Sequence, residues 1–174
     1  DILATVQQFG ARHVVVTGGE PMIAPDLVSL TGALRESGFH ITIETAGTVF
    51  HRVACDLMSI SPKLANSTPF TREDGRWAAQ HDRLRFQPVV LRELVASYPA
   101  QLKFVIASPD DLPEVKAVVE AAGASKGQVI LMPEGIDRDT LQQRSRWLVV
   151  ICKTEGYRFS PRLHVDLWGA QRGV

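Results

Sequence analysis

Charged and small residues follow several short apolar runs in this sequence, and residues of these types could support chemistry. The run HVVVT at residues 13–17 leads into Gly18, Gly19, Glu20 and Pro21. Other runs end in the same way: in Glu44; in Ser61, Pro62 and Lys63; and in Met132, Pro133, Glu134 and Gly135. A turn accounts for glycine, proline and serine at such positions, but it does not require carboxylates and a lysine. We therefore predict a ligand site at the ends of these runs.

The tetrapeptide Gly18-Gly19-Glu20-Pro21 has the properties of a turn that binds a cation. Its two glycines let the backbone approach a ligand closely and leave N–H groups free to bond it. A carboxylate beside them suits an ammonium group, because a charge-assisted hydrogen bond is roughly twice as strong as a neutral one. A phosphate cradle would need a lysine and a helix N-terminus instead. The pattern predicts a ligand that carries an ammonium group.

The elements that must position these residues alternate along the chain. Short β-branched runs predict strands at residues 13–17, 40–45, 56–60, 101–107, 127–132 and 163–168. Amphipathic stretches predict helices at residues 1–9, 26–37, 88–98, 108–122 and 137–153, and residues 64–80 are predicted to form a long loop.

This alternation indicates an α/β fold of parallel βαβ units. The strands are apolar at nearly every residue, as expected when both faces of a sheet are covered. A doubly wound sheet and a partial TIM-like barrel both fit the pattern, and both collect ligands at the carboxyl ends of their strands.

Composition limits the classes of function. The 174 residues predict a single domain, 1–174, and its 19 basic and 19 acidic residues provide no overall field for nucleic acid or an anionic membrane. No apolar run is long enough for a transmembrane helix. The two cysteines, Cys55 and Cys152, are far apart, so we predict buried thiols, no metal ligands and a cytoplasmic protein.

An ordered set of short motifs resembles one family of radical S-adenosylmethionine (SAM) enzymes, the 7-carboxy-7-deazaguanine synthases. GGEP at residues 18–21 is typical of the radical SAM superfamily as a whole. The more specific pieces are ETAGT at 44–48, SPK at 61–63, LKFV at 102–105, MPEG at 132–135, LHVDLWG at 163–169 and RGV at 172–174. They occur in the family's order over essentially the whole chain.

The resemblance implies a partial TIM-like (β/α) barrel of about six parallel strands, of which this chain is the C-terminal major part. It assigns SAM binding to Gly18, Gly19, Glu20, Glu44, Ser61, Pro62, Lys63, Met132, Pro133, Glu134 and Gly135. It assigns substrate binding to Thr17, His164 and Val174. It assigns no general base and no metal ligand to these residues.

The implied reaction converts 6-carboxy-5,6,7,8-tetrahydropterin, a small pterin, to 7-carboxy-7-deazaguanine with loss of ammonia, in queuosine biosynthesis. The implied cofactors are SAM, a [4Fe–4S] cluster and Mg²⁺, and the implied partners are a second copy of the chain and a flavodoxin-like reductant. The cluster's three cysteines are expected in an N-terminal segment that this sequence lacks, so the fragment alone is expected to be inactive.

Two other functions remain open on sequence grounds. A different radical SAM enzyme, such as a glycyl-radical-enzyme activase, would share GGEP but lack the later motifs. A non-catalytic SAM- or nucleotide-binding α/β module would lack the cluster cysteines altogether.

Overall fold

A single sheet of six parallel strands organises the protein. The computed structural model describes residues 2–169 and 171, apart from the side chain of Arg72. The strands lie in the order β1-β2-β3-β4-β5-β6, with every neighbouring pair parallel. Their bounds are β1 His13–Val16, β2 His40–Thr45, β3 Leu57–Ile60, β4 Ala100–Ile106, β5 Val129–Pro133 and β6 Arg158–Phe159.

Seven α-helices accompany the sheet among the described residues. They are α1 Ile2–Gln8, α2 Leu27–Glu36, α3 Ala78–Leu84, α4 Pro88–Ser97, α5 Leu112–Ala122, α6 Arg138–Glu155 and α7 Leu163–Trp168. Local chemistry sets several of their ends. The Asp137 side chain accepts a hydrogen bond from the Thr140 N–H at the start of α6, and Gly123 and Gly156 end α5 and α6 in the left-handed conformation.

Strand order separates the two architectures that the sequence left open. A doubly wound sheet reverses its strand order at a switch point, whereas here the spatial order follows the chain order throughout. Right-handed crossovers of constant direction place the connecting helices on one face. The predicted partial barrel is therefore confirmed, and among the described residues its sheet does not close.

The two faces of the sheet differ in character, which corrects the expectation that both are covered. In β4, Leu102, Phe104 and Ile106 are fully buried, while the residues that alternate with them, Gln101, Lys103 and Val105, are partly exposed. Strand β2 alternates in the same way. The apolar side chains pack beneath the helices, and the opposite face carries polar groups toward an open interior. We call this second surface the inner face.

Two sequence predictions about local structure are wrong. Residues 163–168 form helix α7 rather than a strand, and the sixth strand is the two-residue β6. LHVDLW alternates apolar and polar residues as a strand does, but a short run cannot distinguish the two periods. The predicted loop at 64–80 contains two 3₁₀ turns, Ala65–Ser67 and Arg72–Gly75, and α3 begins within it at Ala78.

Within the part of the chain that the structure describes, no helix has both the length and the apolar character needed to span a membrane.

Candidate functional site

A polar cavity of about 160 Å³ lies where β1, β2, β3 and β4 end at their carboxyl side. Ligands of parallel α/β folds gather at this edge. Its lining consists of Thr17, Gly18, Gly19, Glu44, Thr45, Ala46, Ser59, Ser61, Lys63 and Lys103. The structure thus brings together six of the predicted site residues, which come from three separate stretches of the sequence.

The glycine pair forms an open wall of this cavity. A Cβ atom built on Gly18 or on Gly19 would meet no heavy atom within 4 Å. The backbone of both residues therefore faces free space, which a ligand could approach closely.

Glu20, by contrast, is not among the residues that line the cavity, and its carboxylate joins two strand ends. Its Oε1 accepts hydrogen bonds from the Met22 N–H at 3.0 Å and the Thr45 hydroxyl at 2.7 Å. Its Oε2 accepts from the Ala46 N–H at 2.8 Å. The Thr45 hydroxyl oxygen in turn accepts from the Gly47 N–H at 3.0 Å. This carboxylate holds the β1 and β2 ends together without any ligand.

Three charged side chains surround the cavity. Lys103 of β4 pairs with Glu44 of β2, with the ammonium nitrogen 3.3 Å from Oε1. Lys63, just beyond β3, donates to the Ser61 hydroxyl at 3.3 Å. Burial lowers the pKa of Lys63 below its ordinary value, and the nearby charge of Lys103 lowers it further, while Glu20 and Glu44 act in the opposite direction.

Strand register explains why these long side chains can meet. Glu44 lies opposite Ser59, and Ser59 lies opposite Gln101, so all three are on the inner face. The Gln101 amide donates to the Ser59 hydroxyl at 3.1 Å. Because β3 presents only a small serine here, side chains from β2 and β4 can extend across it.

Sequence reasoning missed Ser59 and Lys103 as site residues. The available signal was the alternation of polar and apolar residues in QLKFVI, which places Gln101 and Lys103 on one face of a strand. Their proximity to Glu44 depends on register between strands distant in sequence.

The residues of MPEG lie at the end of β5, outside the lining of the polar cavity. By register with Val105, Met132 shares the inner face with Lys103. Glu134 forms an ion pair with Arg144 of α6, and Pro133 lines a different cavity of about 400 Å³. The Gly135 carbonyl accepts a hydrogen bond from Arg162 at 3.1 Å.

The remaining predicted residues are dispersed. Pro62 is buried directly after β3, between two residues of the cavity lining. His164 is an exposed residue of α7, and Val174 lies outside the described residues.

A larger, mostly apolar cavity of about 410 Å³ adjoins the polar one and shares Ala46 and Lys63 with it. Its other walls are Thr48 and the α3 region, with Trp77, Gln80, His81, Leu84 and Arg85. Arg85 holds this region in place: it pairs with Glu114 and Asp82 and donates to the Lys63 carbonyl at 3.2 Å.

The donor set around these cavities fits SAM. The Glu44 carboxylate can pair with the positively charged groups of SAM, and the ammonium groups of Lys63 and Lys103 can pair with the carboxylate of SAM. The adjoining apolar cavity can hold a nonpolar part of the same molecule. An iron–sulfur cluster does not fit the described residues, which contain no group of three or more His, Cys, Asp or Glu able to hold a metal. Cys55 and Cys152 are buried, and burial raises the pKa of both thiols, which opposes the thiolate form that ligates iron.

The open parallel barrel and the polar cavity at its carboxyl edge define a (β/α)-barrel enzyme core. No protein-family profile matches the chain. The 7-carboxy-7-deazaguanine synthase of Halobacterium salinarum is 41% identical over 179 residues, covering 97% of this chain and 70% of the relative. That of Rhodopirellula baltica is 42% identical over 175 residues, covering 100% of this chain and 68% of the relative. The chain belongs to the 7-carboxy-7-deazaguanine synthase family, as its motifs predicted.

Solved structures agree with this assignment. QueE from Escherichia coli superposes with a TM-score of 0.62 at 27% identity, covering 93% of this chain and 62% of that one. Streptococcus suis SuiB bound to S-adenosylmethionine gives a TM-score of 0.63 at 14% identity, covering 92% of this chain and 40% of that one, a likeness of fold alone. The chain thus spans somewhat more than two thirds of the two curated relatives and 62% of the QueE chain.

Proposed function

We propose that the complete protein is a radical SAM lyase that converts 6-carboxy-5,6,7,8-tetrahydropterin to 7-carboxy-7-deazaguanine with loss of ammonia, in queuosine and related deazapurine biosynthesis. The observation that carries the proposal is identity above 40% to named synthases over nearly the whole chain. The polar cavity at the strand ends, lined by motif residues from four strands, supports it.

The residues proposed to hold SAM are the backbone of Gly18 and Gly19 together with Ser61, Pro62 and Lys63. Glu44 faces the same cavity, and residues 132–135 extend the site along β5. Glu20 is proposed to contribute in two ways. It holds the ends of β1 and β2 together, and a lone pair that the protein does not use can accept a hydrogen bond from the ammonium group of the ligand. When bound, SAM supplies the radical chemistry; the chain's residues bind it, orient it and limit the access of water.

A [4Fe–4S] cluster is proposed as the second cofactor, with ligands that are not among these 174 residues. A cluster of this superfamily is held by three cysteines, and the chain has two, both buried. For that reason no catalytic step is assigned to residues of this chain, and the fragment is proposed to be inactive alone. Mg²⁺ is proposed to bind with the substrate.

The substrate contacts are proposed at Thr17, which lines the cavity, and at His164 and Val174. The chain is proposed to form one domain, which its single sheet supports. A homodimer is supported by exposed apolar side chains such as Phe9 and Ile2, 73% and 63% exposed. We also propose a flavodoxin-like reductant. A cytoplasmic location is proposed as well, because free cysteines are typical of reducing compartments.

The test uses the full-length protein, reconstituted anaerobically with iron and sulfide, and then supplied with reductant, SAM, Mg²⁺ and the carboxytetrahydropterin. Mass spectrometry should detect 7-carboxy-7-deazaguanine and ammonia, and a reaction without SAM provides the control. SAM cleavage without that product would indicate another radical SAM reaction. Absence of both SAM cleavage and iron binding would favour a non-catalytic SAM-binding module.

A further inference from the structure

Two histidine side chains lie together at the amino ends of β1 and β2. His13 is paired in register with His40, and the His40 N–H donates to the Arg12 carbonyl at 2.9 Å, so the strand pairing fixes the relative position of the two residues. Their imidazole ring centroids are 4.9 Å apart, and the ring planes are inclined by 45°. Both residues are exposed. Solvent, and any ion dissolved in it, can therefore reach this pair of rings.

The histidine pair belongs to the inner face but lies far from the polar cavity. Side chains alternate along a strand, so His40 is on the same face as Glu44, and the four residues between their positions span about 13 Å. The polar cavity lies at the carboxyl ends of the strands, whereas the histidines lie at the amino ends and are not part of its lining. The pair is thus separate from the residues proposed to bind SAM.

Interactions within the protein do not account for the arrangement of the two rings. Among the described residues, neither imidazole forms a hydrogen bond or an ion pair with another side chain, and the contact between the two rings is the one that engages them. Because both residues remain exposed, that contact removes little surface from water and contributes little stability. The ring nitrogens are therefore available to water or to a dissolved ion.

The separation of the rings matches that of two imidazoles bound to one metal ion. With Zn–N distances of about 2.0–2.1 Å, two imidazoles at a right or tetrahedral angle have centroids roughly 4.5–5.2 Å apart. The observed 4.9 Å lies within that range. Imidazole nitrogen suits Zn²⁺, Cu²⁺ and Ni²⁺, whereas Mg²⁺ prefers oxygen ligands. The pair therefore favours a transition cation over Mg²⁺.

We propose that His13 and His40 form a binding site for a divalent transition cation such as Zn²⁺, with water completing its coordination. Among the described residues, no third His, Cys, Asp or Glu joins them to make a larger group of ligands. Strand β1 has four residues and lies at one edge of the described sheet, so an ion held by both histidines would also link this edge strand to β2. The site is independent of the proposed reaction and of its [4Fe–4S] cluster and Mg²⁺.

The experiment titrates Zn²⁺ into the full-length protein by anaerobic calorimetry, after iron and sulfide reconstitution so that cluster cysteines are occupied. The variants are His13→Gln and His40→Gln, both at exposed positions. His51→Gln is the matched control, because His51 is also exposed but lies outside the strands. The difference between each variant and the unmodified protein isolates the contribution of the histidine pair. Thermal melting of the metal-free proteins shows whether each variant is folded.

Each of the two strand variants should bind Zn²⁺ about tenfold or more weakly than the unmodified protein, since even an outer partner of a metal ligand contributes that much to affinity. His51→Gln should bind as the unmodified protein does, and excess Mg²⁺ should leave the affinity for Zn²⁺ unchanged.

Three results would overturn the proposal. They are absence of Zn²⁺ binding to the unmodified protein, unaltered binding in both folded strand variants, and displacement of Zn²⁺ by Mg²⁺. None of them depends on whether the protein forms the deazaguanine product, so this proposal and the proposed function can fail separately.

Discussion

The Glu20 carboxylate is anchored entirely by protein groups, and this qualifies the role that its motif suggests. The turn GGEP predicts a carboxylate for a ligand ammonium, whereas in the structure Glu20 accepts hydrogen bonds from Met22, next to its own turn, and from Thr45 and Ala46 at the end of β2. The two roles are compatible only if a ligand uses a remaining lone pair. Stability and SAM affinity can therefore be measured separately for this residue.

Glu20→Gln should lower the free energy of unfolding by about 1.5–3 kcal/mol, the scale of hydrogen bonds to a charged group. The amide NH₂ would face either the Ala46 N–H or the Thr45 hydroxyl, and it cannot accept from them. Urea denaturation of the full-length protein measures the change. Calorimetry with SAM on the same variant tests the ligand role, which an unchanged affinity would rule out.

Lys63 should make anion binding sensitive to alkaline pH. Burial lowers the pKa of its ammonium group, so the group loses its proton at a lower pH than an ordinary lysine. If Lys63 binds the carboxylate of SAM, the affinity for SAM is complete below that lowered pKa and falls as pH rises through it.

Lys63→Arg provides the comparison, since a guanidinium stays charged throughout this range. The affinity of the Lys63→Arg variant for SAM should be unchanged at a pH where the affinity of the unmodified protein has fallen. Parallel pH profiles for the two proteins would show that the titrating group is not Lys63.

The turn after β2 shows how an element can require a motif residue for packing rather than for ligand binding. Gly47 of ETAGT has a φ of +76°, and a Cβ there would lie 2.5 Å from Leu91 Cδ2 and 2.8 Å from Ile60 Cγ2. The glycine is thus required by the backbone conformation and by the close approach of α4 and β3.

Gly47→Ala should cost about 1–3 kcal/mol of unfolding free energy from overpacking, with about 1 kcal/mol more from the left-handed conformation. Gly32→Ala within α2 is the matched control, because a Cβ there meets no atom within 4 Å. That substitution should raise stability by about 0.4–1 kcal/mol. Chemical denaturation measures the change in unfolding free energy of both variants. Equal changes in the two would contradict the packing argument.

Both cysteines of the protein are buried and lie outside the lining of the polar cavity. Cys55 and Cys152 are 7% and 4% exposed, and their thiols donate to the Ile41 and Arg158 carbonyls. Neither is placed to bind iron. The proposed cluster is therefore expected to be held by residues other than these two cysteines.

Cys55→Ala and Cys152→Ala in the full-length protein should leave iron and sulfide content, and the visible absorption of the reconstituted cluster, unchanged. Each is expected to reduce stability modestly, because a small buried side chain is shortened. Loss of cluster absorption in a variant that remains folded would show that this chain does supply a ligand.

Much of the architecture could be predicted from local pattern. Valine-rich runs identified five of the six strands, and amphipathic stretches identified the principal helices. Both patterns are visible in the sequence because the spacing of apolar residues reflects which faces of an element are buried. The order of GGEP, ETAGT, SPK and MPEG indicated the family that the named relatives confirm. The failures, α3, α7 and β6, are short elements in which few side chains are buried.

Which residues share the cavity was decided only by the tertiary structure. Thr17, Glu44, Lys63 and Lys103 are far apart in the chain, and they meet because four parallel strands end at one edge in a particular register. The same folding turned Glu20 toward β2 and left Glu134 beside Arg144. A motif specifies residue types along the chain, but the direction of a side chain depends on strand pairing and packing between residues distant in sequence.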